Sequence, residues 1–93
     1  DHFEGIAPYA EYRVRSTDID VGGHMNNTAY VRMIMGSLSN EERKALPIRR
    51  MDVIFRASCY EGDVLSFRRK ETEDGLDIRV SRGEETVLLV RIQ

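Results

Sequence analysis

Residues 18–30 read Asp18-Ile19-Asp20-Val21-Gly22-Gly23-His24-Met25-Asn26-Asn27-Thr28-Ala29-Tyr30. The first ten positions hold two acids, two glycines, a histidine and two asparagines, which is loop chemistry. A helix is expected to follow, because Tyr30, Val31, Ile34, Met35 and Leu38 recur at helical spacing and make one apolar stripe. Asn26 or Asn27 stands where a side-chain oxygen can cap the open N–H groups of that helix. The stretch therefore brings acids and an imidazole to a helix start, where the open amides and the helix dipole favour negative charge.

Outward from this stretch the pattern changes to sheet. Upstream, residues 9–16 alternate, with Tyr12 and Val14 on one face and Glu11, Arg13 and Arg15 on the other, so a half-buried strand is expected. Residues 1–8, with Gly5 and Pro8, read as a lead-in. Downstream, Gly36 and Ser37 weaken the end of the helix. Ser39 and Glu42 match a capping box, which predicts a second short helical turn over 40–45, ended by Pro47. Strands are expected at 48–57 and 63–72, from Leu76 onward, and at 86–92. Glu73-Asp74-Gly75 reads as a hairpin turn that uses the positive φ Asp-Gly tolerates, and Gly83 marks a second turn. Strand, loop, helix and four strands joined mainly by short turns make an α+β architecture, an antiparallel sheet packed on one principal helix.

Composition narrows the function classes. The 93 residues fit one domain, and a core this small favours leaning on a partner unit or a second copy. The net charge is -2 and no block of like charges occurs, so no nucleic-acid arm is expected. No apolar run is long enough for a membrane span. One cysteine, Cys59, fits a reducing compartment such as the cytoplasm. No metal-ligand cluster, P-loop or dinucleotide fingerprint appears, so neither metal nor cofactor is expected. The arginines Arg49, Arg50, Arg56, Arg68 and Arg69 read mainly as the solvent face of strands, with phosphate binding the alternative. The closing strand 86–92 is nearly continuously apolar and reads as an unprotected edge, a reason to expect self-association.

The stretch 18–30 resembles the loop-to-helix motif of the acyl-acyl-carrier-protein thioesterases, which runs roughly D-x-D-V-N-x-H-V-N-N-x-x-Y. A weaker similarity runs through Phe55-Arg56-Ala57-Ser58-Cys59-Tyr60-Glu61-Gly62-Asp63-Val64-Leu65, and in all it covers residues 9–92. The resemblance implies a hotdog fold, about five antiparallel strands wrapped around one main helix. It also implies a single hotdog domain over 1–93, the C-terminal unit of a longer tandem chain or a copy that self-associates.

By the same resemblance the activity is hydrolysis of an acyl thioester carried on the phosphopantetheine arm of an acyl carrier protein, releasing a fatty acid. Asp20, His24 and Cys59 are the implied catalytic positions, and Gly22, Gly23, Asn26, Asn27 and Ser58 the implied substrate-binding ones. The residue types suit the reaction. An imidazole such as that of His24 can take a proton or donate to a carbonyl, and Asp20 can activate water or orient the imidazole. Gly22 and Gly23 let the backbone approach a ligand closely. The sequence departs from the family pattern twice: Gly22 replaces the usual Asn, and Ser58 replaces the usual Glu. A non-catalytic unit that binds the acyl chain, and a hydrolase of coenzyme A thioesters, are the alternatives.

Overall fold

The computed structural model describes residues 2–93. Strands β1 (Ala10–Arg13), β2 (Met51–Phe55), β3 (Val64–Thr72), β4 (Gly75–Arg82) and β5 (Glu85–Ile92) form one sheet in the order β1-β3-β4-β5-β2, every pair antiparallel. Helices α1 (Asn27–Gly36) and α2 (Asn40–Ala45) lie between β1 and β2 in the chain. The sheet is thus not a simple run of hairpins. β2 crosses to the far edge and pairs with β5, and residues 56–63 return the chain to β3.

α1 buries Ala29, Tyr30, Met33 and Ile34 in the main core, joined by Leu38 just past its end. They share that core with Leu65, Phe67, Leu76, Ile78, Val80, Leu88, Val90 and Ile92 of the sheet. These strand positions alternate, so one face of the sheet turns wholly to the helix. The stripe expected from sequence is rotated on the helix. Val31 is 45% exposed, and Ala29 and Met33 take the inner positions, because a helix buries i and i+4 neighbours together. The side chain of Asn26 caps α1 by accepting from the Ala29 N–H at 2.8 Å. The capping box of α2 forms as read: Ser39 Oγ accepts from the Glu42 N–H, and Glu42 Oε1 accepts from the Ser39 N–H at 2.9 Å.

Three expectations need correction. The strand 86–92 is not an edge. β5 lies between β4 and β2, and its continuous apolar run reflects burial on both sides. The edges are β1 and β2, and β2 exposes Ile54 and Phe55. Gly75 is not needed for a positive φ, since among the described residues only Gly5, Gly23, Gly62 and Gly83 have one. The turn is Glu73-Asp74, and Gly75 is required because a Cβ there would lie 1.8 Å from the Ile92 carbonyl oxygen. Finally, residues 2–6 are more than a lead-in. They cross the outer face of the sheet, with Phe3 buried, the Arg68 Nε donating to the Ile6 carbonyl at 2.9 Å and His2 Nε2 3.0 Å from Asp77 Oδ2. No helix among the described residues is long and apolar enough to cross a membrane.

Candidate active site

The loop entering α1 is closed by its own backbone. Ile19 bridges to Met25, the Asp20 N–H donates to the His24 carbonyl at 2.9 Å, and the Gly23 N–H donates to the Asp20 carbonyl at 3.0 Å. Gly23 sits at φ +84°, a conformation that favours glycine. Val21, at the tip, is fully exposed.

Asp18 anchors the loop from below. Its carboxylate is buried and accepts from the Tyr12 hydroxyl at 2.7 Å and the Arg15 N–H at 2.9 Å. Its carbonyl accepts from both the backbone N–H and the side-chain amide of Asn26. The Asn26 side chain thus has its oxygen on the helix cap and its amide on the loop. Asn27 is exposed at the first position of α1. The amides of Asn27 and Thr28 have no acceptor within the helix, since the first turn lacks a preceding carbonyl.

Asp20 and His24 come together at the mouth of this helix. Asp20 Oδ1 accepts from the Gly22 N–H at 2.8 Å and the His24 N–H at 3.3 Å. The imidazole is also close to Gly22: a Cβ at that position would be 3.2 Å from Asp20 Oδ1 and 3.9 Å from His24 Nδ1. The missing side chain therefore leaves space close to both the carboxylate and the imidazole. His24 is exposed, and its ring packs against Tyr60 with centroids 5.5 Å apart.

A cleft of about 380 Å³ opens beside His24, lined by Tyr30, Phe55, Arg56 and Ser58 among others. It brings Ser58 to the same mouth as His24, although the two are far apart in sequence. Cys59 is placed differently. It is wholly buried, its N–H donates to the Tyr30 hydroxyl at 3.2 Å, and its carbonyl accepts from the Met25 N–H at 3.1 Å. Burial pushes the Cys59 thiol up. Burial likewise drives the Tyr30 hydroxyl far above its ordinary value, with the Cys59 contact adding to it. A buried thiol kept protonated presents no thiolate to the cleft. Cys59 instead ties the 57–63 segment to the base of the loop.

A hollow of about 470 Å³ on the outer sheet face, between Phe3, Ile54, Leu89 and Arg91, is larger. It contains no residue of the loop 18–27. Reading the sequence missed Phe55, Tyr60 and Arg82 as parts of the site's surroundings. Phe55 stacks edge-on against Tyr30, and Arg82 donates to the Ser58 carbonyl at 3.0 Å. Their neighbours in sequence do not mark this placement, because strand crossing brings them to the loop.

The family model for the acyl-ACP thioesterase C-terminal domain matches residues 6–92. The chain belongs to this family. It is a hotdog domain, with the five-stranded antiparallel sheet and central helix of thioesterase structures. It is similar to an acyl-ACP thioesterase of Bacteroides thetaiotaomicron, with 30% identity and a TM-score of 0.84, covering 92% of this chain and 36% of that one. The chain thus spans about a third of that relative's length. Two more distant structures share the fold. A probable thioesterase of Escherichia coli aligns at 16% identity and TM-score 0.76, over 92% of this chain and 79% of its own. The 1,4-dihydroxy-2-naphthoyl-CoA thioesterase of Synechocystis aligns at 16% identity and TM-score 0.70, over 89% and 76%. No curated protein matches the sequence. Within the acyl-ACP thioesterase C-terminal domain family, the Asp20–His24 loop of this member sits at the start of the hotdog helix.

Proposed function

We propose that this domain carries the hydrolytic site of a cytoplasmic thioesterase that releases a fatty acid from an acyl carrier protein. One observation carries the reading. The His24 imidazole and the Asp20 carboxylate both lie close to Gly22, on the loop that leads into α1.

The reaction follows from that geometry. The acyl thioester carbonyl lies over the helix start, and water in the space at Gly22 attacks it. His24 takes the proton of the water as the C–O bond forms. The amides of Asn27 and Thr28 hold the oxyanion. Asp20 shapes the loop through the Gly22 and His24 amides. As the intermediate collapses the C–S bond breaks, and the imidazolium returns the proton to the departing phosphopantetheine thiolate. The products are a free acid and a thiol. Ser58 and Gly23 border the substrate, and no cofactor is required.

The domain works, in this reading, as one unit of a pair, with a second hotdog unit or a second copy. The apolar residues left exposed on the β2 edge, Ile54 and Phe55, and at the loop tip, Val21, are the surface such a partner would cover.

A second reading has an observation of its own. Gly22 offers no side-chain donor and Ser58 no carboxylate, which suits a non-catalytic half that holds the acyl chain. Rates of free-acid release by the intact protein, on long-chain acyl carrier protein and on acyl-coenzyme A, separate the readings. Faster release from the carrier protein is expected. Faster release from coenzyme A would reassign the substrate, and release from neither, in folded protein, would leave the non-catalytic half.

A further inference from the structure

Tyr60 lies outside the loop, within the weaker similarity of residues 55–65, and is the aromatic partner of His24. The two rings are 5.5 Å apart at an interplanar angle of 60°. Tyr60 is itself held by a chain of contacts that starts on the sheet. Arg82, near the end of β4, donates through Nη1 to Asp63 Oδ2 at 2.7 Å and to the Ser58 carbonyl at 3.0 Å. The same Asp63 oxygen accepts from the Tyr60 N–H at 2.9 Å. Gly62, at φ +89°, completes the tight return, and its N–H donates to the Val14 carbonyl at 2.9 Å. The 58–63 segment is therefore pinned from both sides, to β4 and to the chain leaving β1.

We infer that Tyr60 is a positioning residue: its ring fixes the orientation of the His24 imidazole, and the Arg82–Asp63 pair fixes Tyr60. His24 is exposed, and its loop restrains it only through backbone contacts. An unrestrained imidazole on a surface loop samples several rotamers, of which few aim a nitrogen at the helix mouth. A tilted aromatic neighbour removes part of that freedom. The catalytic side of this inference rests on the thioesterase reading above, whereas the ring contact does not.

The test compares intact wild type with Tyr60→Phe and Tyr60→Ala. Proton–proton cross-relaxation between the two rings is read by NMR, together with the His24 ring resonances. Wild type and Tyr60→Phe are expected to show inter-ring cross-peaks, and the His24 resonances are expected to move in Tyr60→Ala. With an acyl carrier protein thioester, Tyr60→Phe keeps kcat and Tyr60→Ala loses ~2- to 10-fold with KM nearly unchanged, the range an aromatic pair supports. His24 resonances that stay in place in a folded Tyr60→Ala variant would overturn the inference, whatever the activity. So would an unchanged kcat in that variant of an active enzyme. A wild type without activity would defeat the thioesterase reading, while the NMR comparison would still decide the ring contact.

Discussion

The Asp20 carboxylate reaches His24 through its backbone: Oδ1 accepts from the His24 N–H at 3.3 Å, while the His24 Nδ1 lies 3.9 Å from where a Gly22 Cβ would stand. The acid thus has two separable duties, holding the loop and supplying charge. Asp20→Asn keeps the accepting oxygen and removes only the charge, so kcat is expected to fall about tenfold with the fold intact. Asp20→Ala removes both and is expected to fall about a hundredfold. Equal losses in the two variants would show that loop closure contributes nothing.

Cys59 is expected to behave as a core residue. Its thiol is buried and pushed up, so alkylation by iodoacetamide in native buffer at pH 8 should be slow and should accelerate on adding urea. Cys59→Ala should hold kcat within about threefold and cost about 1 kcal/mol of stability. Rapid native alkylation that abolishes activity would return Cys59 to the chemistry.

Gly75→Ala tests the sheet behind the site. The added Cβ would collide with the Ile92 carbonyl, whose neighbouring strand cannot move without leaving β2 or β4. A loss of ~3 kcal/mol or more is expected. Gly83→Ala, at φ +60° with open space around it, should cost only ~1–2 kcal/mol. Urea melts of the two variants give the comparison, and equal costs would contradict the packing argument.

Acid stability should carry the mark of Asp77. Hydrogen bonds from Arg91, at 2.9 and 3.0 Å, hold its carboxyl below the usual range, and His2 adds to this. The folded value is lower than the unfolded one, so the stabilisation is complete above about pH 3.9 and is lost as the pH falls through the folded value. The difference in urea midpoint between wild type and Asp77→Asn should be flat from pH 7 to about 5 and shrink below about 4. A difference that grows on acidification would reverse the sign.

Local chemistry made much of this fold readable. The Ser39–Glu42 capping box, the Asn26 cap and the end of α1 at Gly36 each depend on neighbours within four residues, and each forms where the sequence places it. What failed depends on distant partners. Nothing in residues 86–92 says that β2 will pair outside them, and nothing in His2-Phe3 announces the outer face of the sheet. The same division holds at the site. The loop of Asp20 and His24 is a single stretch of chain, whereas Tyr60, Phe55 and Arg82 reach it from three other segments through crossover and strand register.

In the proposed reaction the chemistry resides on the loop at the start of α1. The most direct measurement is the rate of free-acid release from a long-chain acyl carrier protein, by intact wild type and His24→Ala at pH 7.5. The account expects a clear wild-type rate and a loss of about 10²- to 10⁴-fold in the variant, the range of a general base. An unchanged rate in folded His24→Ala protein would contradict it and move the hydrolysis to another unit.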